Sequence, residues 1–176
     1  MLAYPVSKKP IDYNDKVFIQ PKLDGVRCLI QYDAGKVTAY SRTGKVWKNI
    51  EHITANLYKF FEKFPNIVLD GELYNHDLKD DFEEIISMVR KQKPTAEDRV
   101  KSCENVQFHC YDLVDTKISF KTRDEFIKEY VPKSNCVKHV LTMPIPNPGA
   151  LHYVHKSNID CGYEGSIVRL NTPYEC

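Results

Sequence analysis

Lys22 lies in the run Gln20-Pro21-Lys22-Leu23-Asp24-Gly25-Val26-Arg27, where an amine, a carboxylate, a glycine and a guanidinium follow one another closely between two strand-like stretches. That grouping suits a nucleophilic lysine. A free lysine has a pKa near ~10.4, so at neutral pH only about one in a few thousand carries the neutral amine that attacks an electrophile. Burial, neighbouring cations or a bound metal lower that pKa by disfavouring the ammonium form. Arg27 and Arg42 are the cations at hand. Gly25 permits a tight bend after the lysine and lets a ligand approach the main chain. Taken alone, the run is equally consistent with a strand end and a charged turn.

Other stretches carry groups of the same kind. Asp70-Gly71-Glu72 puts two carboxylates on either side of a glycine at a strand end, and carboxylates accept hydrogen bonds from sugar hydroxyls or ligate hard cations. A solvated turn is the alternative. Cysteines at 28, 103, 110, 136, 161 and 176 form no Cys-x-x-Cys pair, and only His109 beside Cys110 hints at a metal ligand. They read as reduced thiols of an intracellular protein, with no structural zinc expected and no role assigned to His109.

The elements that must hold these groups can be read from periodicity. Residues 1–16 are polar and turn-rich, a surface lead-in. Strands are expected over 17–20, 27–32 and 36–41, the last two joined as a hairpin through Asp33-Ala34-Gly35, which would carry Arg42 back towards Lys22. Ile53, Leu57, Phe60, Phe61 and Phe64 recur at helical spacing and predict a helix over 51–64 with a core-facing aromatic stripe. A buried strand over 66–69 delivers Asp70. A helix over 81–92 turns Phe82, Ile85, Ile86 and Val89 inward, and its terminal Arg90, Lys91 and Lys93 suit the helix dipole. The stretch 93–105 reads as a loop. In the strand 106–114, alternation puts Phe108 and Cys110 on one face and His109 and Tyr111 on the other. Thr122-x-x-Glu125 has the form of a capping box opening a helix that runs to Tyr130. A strand over 139–143 follows, then a helix over 149–160 with Leu151, Val154 and Ile159 inward and Gly162 as terminator, and last a strand over 166–170.

Length and composition fit one domain. A chain of 176 residues, 42% hydrophobic, can bury a sizeable core, and no apolar run is long enough to span a membrane. The start lacks the pattern of a signal peptide, so a cytoplasmic location is expected. A formal net charge of +1 carries no overall basic signature, so any nucleic-acid contact must come from a local patch.

Lys-x-Asp-Gly-x-Arg, at Lys22 to Arg27, resembles the nucleophile motif of the covalent nucleotidyltransferases, the superfamily of ATP-dependent DNA ligases, RNA ligases and messenger-RNA capping enzymes. Ser41-Arg42-Thr43-Gly44, Leu69-Asp70-Gly71-Glu72-Leu73, Phe108-His109-Cys110-Tyr111-Asp112-Leu113 and Tyr163-Glu164-Gly165-Ser166-Ile167-Val168-Arg169 then follow in the family's order and cover almost the whole chain. Glu-Gly at Glu164 is similar to DNA ligases, where capping enzymes usually have Asp-Gly. Arg27 separates the chain from RNA ligases whose motif often ends in Asn. The likeness is to the compact phage and viral DNA ligases.

The resemblance implies an α+β nucleotidyltransferase fold, ATP-grasp-like, of mainly antiparallel sheets with flanking helices. It implies ATP as cofactor, AMP as a covalent adduct on Lys22, and Mg2+ or Mn2+. Catalytic roles fall to Lys22, Asp24 and Arg27. Nucleotide contacts fall to Lys22, Arg27, Arg42, Glu72 at the ribose, Tyr111 stacked on adenine, and Glu164. Metal contacts fall to Glu164 and Glu72. The partner implied is nicked double-stranded DNA, met by a monomer. The family continues beyond the Glu-Gly strand to a Lys-x-Lys motif and an OB-fold domain, so residues 1–176 are expected to be an adenylation domain incomplete at its C-terminus. An RNA ligase, a capping guanylyltransferase or a non-catalytic nucleotide-binding fragment are the alternatives.

Overall fold

In the computed structural model of the chain, residues 5–8 and 10–175 are described. Residues 1–4 and Lys9 of the expected lead-in, and Cys176, lie outside them. The described strands are β1 (Val17–Lys22), β2 (Val26–Asp33), β3 (Lys36–Ser41), β4 (Val68–Tyr74), β5 (Gln107–Leu113), β6 (Val137–His139), β7 (Met143–Pro144) and β8 (Gly165–Leu170). The helices are α1 (Glu51–Asn56), α2 (Tyr58–Lys63), α3 (Phe82–Val89), α4 (Ala96–Asn105), α5 (Phe120–Tyr130) and α6 (Pro148–Asp160).

The strands make two sheets. One has the order β7-β1-β8 and the other β3-β2-β4-β5-β6. Every pairing is antiparallel except β5 with β6, which is parallel. The α+β expectation of mainly antiparallel sheets therefore matches the structure. The hairpin forms as expected. Ala34 and Gly35 take positive φ values of 47° and 81°, the two-residue loop that suits the twist of paired strands, and Asp33 faces Lys36.

Each sheet has its own core. Phe60 and Phe61 of α2, Ile53 of α1, Ile85, Met88 and Val89 of α3 and Ile127 of α5 bury against Ile30, Leu69, Leu73, Phe108 and Cys110 of the larger sheet. The smaller core joins Val17, Ile19 and Ile145 to Leu151 and Val154 of α6. Period-two alternation then dictates that Phe18, Gln20 and Lys22 leave β1 on the opposite side from Val17 and Ile19. The ring of Phe18 indeed meets that of Phe120 on α5, 5.4 Å away.

Several elements differ from expectation. The aromatic helix over 51–64 is two helices meeting at Leu57, whose N–H still donates to Ile53 and whose carbonyl still accepts from Phe61, so the inward stripe survives the break. The expected loop over 93–105 contains α4. Only Ser102 of that helix is buried, so apolar periodicity could not reveal it. Its start is a capping box in which Thr95 accepts from the Asp98 N–H and Asp98 accepts from the Thr95 N–H. Helix α5 opens earlier than expected, with Ser119 rather than Thr122 as the cap. The strand expected over 139–143 is split into β6 and β7, which belong to different sheets. Ile159 is 46% exposed, and Asn158 takes the buried place in that turn of α6.

The two sheets are tied by buried charge. Asp112 of β5, fully buried, receives two hydrogen bonds from Arg123 of α5, at 2.7 and 3.2 Å, and another from the Leu113 N–H. Arg123 is 1% exposed and also donates to the Ile118 and Thr172 carbonyls, so its fork is satisfied on all sides. Removing one partner strands the other in a poorly solvated site. Arg123→Ala should therefore lower stability to urea by about 3–5 kcal/mol. Lys156→Ala, which removes an exposed pair with Asp160, should cost less than about 1 kcal/mol in the same denaturation experiment.

Candidate active site

Between the sheets lies a cleft of about 610 Å³, within the ~300–1,000 Å³ typical of small-molecule sites. Lys22, the last residue of β1, opens into it. The antiparallel register pairs Lys22 with Gly165, the first residue of β8. Glu164 precedes that glycine, and its Oε1 forms an ion pair with the Lys22 Nζ. Both side chains are nearly half exposed, at 40% and 45%. A pair so wetted is held weakly and exchanges readily for a ligand. Asp24 is exposed at the rim of the same cleft.

Gly25 stands at the bend between β1 and β2, as expected, and serves a second need as well. Its φ lies outside the positive range. A Cβ there would fall 2.5 Å from the Leu73 carbonyl and 2.6 Å from the Glu72 side chain, so the glycine allows the start of β2 to sit against β4. What approaches the main chain here is the protein's own carboxylate strand.

That strand carries Asp70 and Glu72 on one face, both lining the cleft. Their fates differ. Asp70 accepts from Arg27 Nε at 3.0 Å and Nη2 at 2.9 Å, and from the Tyr174 hydroxyl at 2.7 Å. Arg27 also donates to that hydroxyl at 2.8 Å. Burial works against the guanidinium charge, but the Asp70 bonds and charge outweigh it and its pKa is raised. Arg27 is thus a cleft-lining cation whose direction is fixed by Asp70 and Tyr174. Glu72 has neither hydrogen bond nor ion pair among the described residues. Burial first, then the charge of Asp70, push its carboxyl up to about 8, with Arg27 and Lys22 pulling the other way. A half-buried acid of that kind, facing a cleft, is a physical mark of a binding site.

Tyr111 follows Cys110 onto the cleft side by plain alternation, and an irregularity beside it redirects the residues after it. Asp70 pairs with Asp112 and Gly71 with Cys110, so Tyr111 is the extra residue of a β-bulge. The bulge shifts the alternation of β5. Phe108 and Cys110 face the core before it and Leu113 after it, leaving Tyr111 and Asp112 on the cleft side. Gly71 is required at this point, since a Cβ would lie 2.5 Å from both the Phe108 ring and the His109 carbonyl. Burial raises the Tyr111 hydroxyl pKa well above its usual value, with Asp70 and Glu72 adding to it.

Arg169 of β8 lies 5.1 Å from the centroid of the Tyr111 ring, a cation–π contact. Its Nε donates to Gln20 Oε1 at 2.9 Å. The Gln20 amide nitrogen donates to the Tyr111 carbonyl at 3.1 Å and to Thr142 Oγ1 at 2.9 Å. One buried glutamine therefore joins β1, β5 and β8 behind the tyrosine. Arg42 is not part of this arrangement. The hairpin returns Ser41 opposite Cys28, but Arg42, one residue on, is exposed and is not among the residues lining the cleft. His109 stands opposite Glu72 in the register and its Nε2 donates to Gln107 Oε1 at 3.0 Å. Burial, then Lys138 and His76, lower its pKa to about 4.

Sequence reasoning placed Lys22, Asp24, Arg27, Glu72, Tyr111 and Glu164 at the site, and the structure gathers all six at one cleft. It gave no role to Gln20, Arg123, Arg169 or Tyr174, and weighed Asp70 as a possible ligand rather than as the partner of Arg27. Alternation along β8 could have found Arg169, since Val168 and Leu170 pack inward. Nothing local marks Tyr174. For a divalent cation, Glu164 and Glu72 offer oxygen donors, and the unpartnered, strained acid of Glu72 gains most from a positive charge; magnesium takes one or two such carboxylates beside phosphate and water.

Comparison with known proteins gives the family of the chain. The family model described as the ATP-dependent DNA ligase domain matches residues 1–175. The candidate DNA ligase 205R of Invertebrate iridescent virus 6 is 28% identical over 185 aligned positions, covering 92% of this chain and 29% of its own length. The solved structure named Pmar-Lig_Pre superposes with a TM-score of 0.78 at 24% identity over 99% of this chain and 43% of its own. The ATP-dependent DNA ligase of bacteriophage T7, solved with ATP, gives 0.69 at 17% identity over 99% and 64%. The chain thus spans less than half of the first two relatives. With the family match running over residues 1–175, the chain belongs to the ATP-dependent DNA ligase domain family.

Proposed function

We propose that this chain is the adenylation domain of an ATP-dependent DNA ligase acting as a monomer on nicked duplex DNA in the cytoplasm. The observation that carries the reading is the β1–β8 register, which sets Lys22 against Glu164 at the mouth of a nucleotide-sized cleft. Family membership and the ATP in the T7 relative support it.

In the first step the Lys22 ammonium leaves Glu164 and gives up a proton. The Nζ lone pair then forms a bond to the α-phosphorus of ATP, the bond to pyrophosphate breaks, and loss of a second proton leaves a neutral phosphoramidate nitrogen bearing AMP. AMP next passes to the 5′-phosphate at a nick, and the 3′-hydroxyl displaces it to join the strand. Charge spreading over the phosphate oxygens is the main burden in such transfers. Arg27, already aimed by Asp70 and Tyr174, meets it without reorienting. Asp24, at the rim, is placed for the later steps.

Tyr111 offers a flat face to the adenine, with Arg169 and Gln20 fixing the ring from behind. Glu72 accepts from the ribose hydroxyls. A divalent cation would be held by Glu164 and Glu72, and when bound it neutralises phosphate charge. Glu164, released from Lys22, would be free to hold it.

Incubation with α-labelled ATP and magnesium, with GTP in parallel, followed by denaturation and intact-mass analysis tests the reading. An AMP adduct should form on Lys22 and no GMP adduct. Lys22→Ala should give a folded protein without the adduct, and labelling at the wild-type level would refute the assignment. Tyr111→Ala should weaken nucleotide binding by roughly 5- to 150-fold, as expected when ~1–3 kcal/mol of stacking is lost. Glu164→Ala should slow adduct formation while leaving metal-free nucleotide binding within about twofold, read by calorimetry.

Glu72 gives a separate pH test. Its folded pKa, about 8, lies above the ordinary carboxyl range, so the folded protein keeps a proton that the unfolded chain releases. Stability should therefore be intact at pH 5, fall as the pH rises, and level off above about 8. Glu72→Gln should flatten that fall and be more stable than wild type at pH 9, by on the order of 1–3 kcal/mol, in urea denaturation at the two pH values.

A further inference from the structure

Glu164 must stand at a fixed place beside Lys22, yet it is exposed and follows a turn rather than a strand. That turn leaves α6 through Cys161, passes Gly162 at a φ of +85°, and returns with the Tyr163 N–H donating to the Asn158 carbonyl at 3.0 Å. A contact from the other sheet holds it.

The contact is His76, the first residue of the short 3-10 turn that follows β4. Its ring lies 4.5 Å from that of Tyr163, inclined by 33°. Its Nε2 is 3.1 Å from the Cys161 carbonyl oxygen, and its Nδ1 is 2.7 Å from the Tyr74 hydroxyl. A carbonyl only accepts, so Nε2 carries a hydrogen, which leaves Nδ1 of the neutral ring to accept from Tyr74. Tyr74, the last residue of β4, is 1% exposed and cannot swing away. Asn75 secures the same turn by accepting from the Asp77 N–H and donating to the Asn105 carbonyl. Lys79 then lies over Gly162 so closely that a Cβ there would be 2.6 Å from its Cε.

Strand β4 therefore carries Glu72 into the cleft and, a few residues later, grips the turn that presents Glu164 from the other sheet. We propose that His76 is a positioning residue that fixes the Glu164 carboxylate relative to Glu72, so that the two can share one divalent cation. The proposal rests on the reading of Glu164 as a cation-holding carboxylate.

Mn2+ serves as the probe, its binding to this chain followed by loss of the free-ion EPR signal, with amide hydrogen exchange read in parallel at residues 161–164. His76→Ala should weaken Mn2+ binding five- to tenfold and speed exchange of the Tyr163 amide at least tenfold. His76→Gln, whose side-chain amide can still donate to the Cys161 carbonyl, should stay within about twofold of wild type on both. A merely structural role would shift the urea midpoint of both variants and leave Mn2+ binding alone. Should the alanine variant fail to fold, Tyr163→Leu, which removes the ring contact and keeps the hydrogen bond, should show the same loss in weaker form. Folded His76→Ala or Tyr163→Leu protein with wild-type Mn2+ affinity overturns the proposal. Glu164→Gln separates the two layers: if it weakens Mn2+ binding while the His76 and Tyr163 variants do not, the positioning role falls and the cation reading stands. If Glu164→Gln binds Mn2+ as wild type does, the cation reading itself falls.

Discussion

The antiparallel pairing of β1 with β8 is the constraint on which the site depends. It places Lys22 opposite Gly165, and so beside Glu164, from opposite ends of the chain. A one-residue slip would turn Phe18, Gln20 and Lys22 towards α6 and bring Val17 and Ile19 out into the cleft. The apolar contacts of Val17 and Ile19 with α6 make that slip costly, so the core under the small sheet is also what aims the lysine. The same pairing sets Arg169 opposite Phe18, two residues from Gln20 on the same face, and through Gln20 fixes the Tyr111 backbone.

A second constraint is the treatment of charge across neighbouring strands. Asp70, Glu72 and Asp112 bring three carboxylates close together on β4 and β5. Asp112 is closed off by Arg123, with Arg169 3.7 Å away, and Asp70 is closed off by Arg27 and Tyr174. Glu72 alone has no such partner among the described residues. A carboxyl left in this condition is pushed towards its protonated form, because burial and the charge of Asp70 outweigh the pull of Arg27 and Lys22. Binding a hydroxyl donor or a metal relieves that condition. Of these three carboxylates the protein thus closes off two and leaves Glu72 for a ligand to satisfy.

Most of the strands were legible because apolar residues recur at period two, and most helices because they recur at the helical period. Helix α4 was not legible, since only Ser102 is buried and its stability is local, in the Thr95–Asp98 cap and in ion pairs such as that of Lys101 with Glu84. The six residues that meet in the cleft were legible mainly through family motifs, whose order survives where local pattern is ambiguous. Arg42 stands apart from them: the motif names the residue, but the end of β3 leaves it exposed and outside the cleft lining. Tyr174 shows the opposite case. Its hydroxyl completes the Arg27–Asp70 contact, but no neighbouring residue signals that its segment returns to β4.

The two sheets carry different halves of the chemistry, and this explains why so many polar groups span them. The small sheet and the turn before β8 supply Lys22, Glu164 and Arg169, while the larger one supplies Arg27, Glu72 and Tyr111. Neither sheet alone forms the cleft. Apart from α5, whose Phe120 and Arg123 also line the cleft, the helices that bury the larger sheet pack on its far face and do not set the distance between the halves. That distance is fixed instead by Phe18 against Phe120, by Gln20 between Tyr111 and Arg169, by Tyr174 on Asp70, and by His76 against Cys161 and Tyr163. Directional contacts of this kind hold geometry more sharply than apolar packing does, because a hydrogen bond weakens steeply once its angle departs from linear. A reaction that needs a phosphorus atom within reach of one sheet's lysine and the other sheet's arginine is served by such a joint.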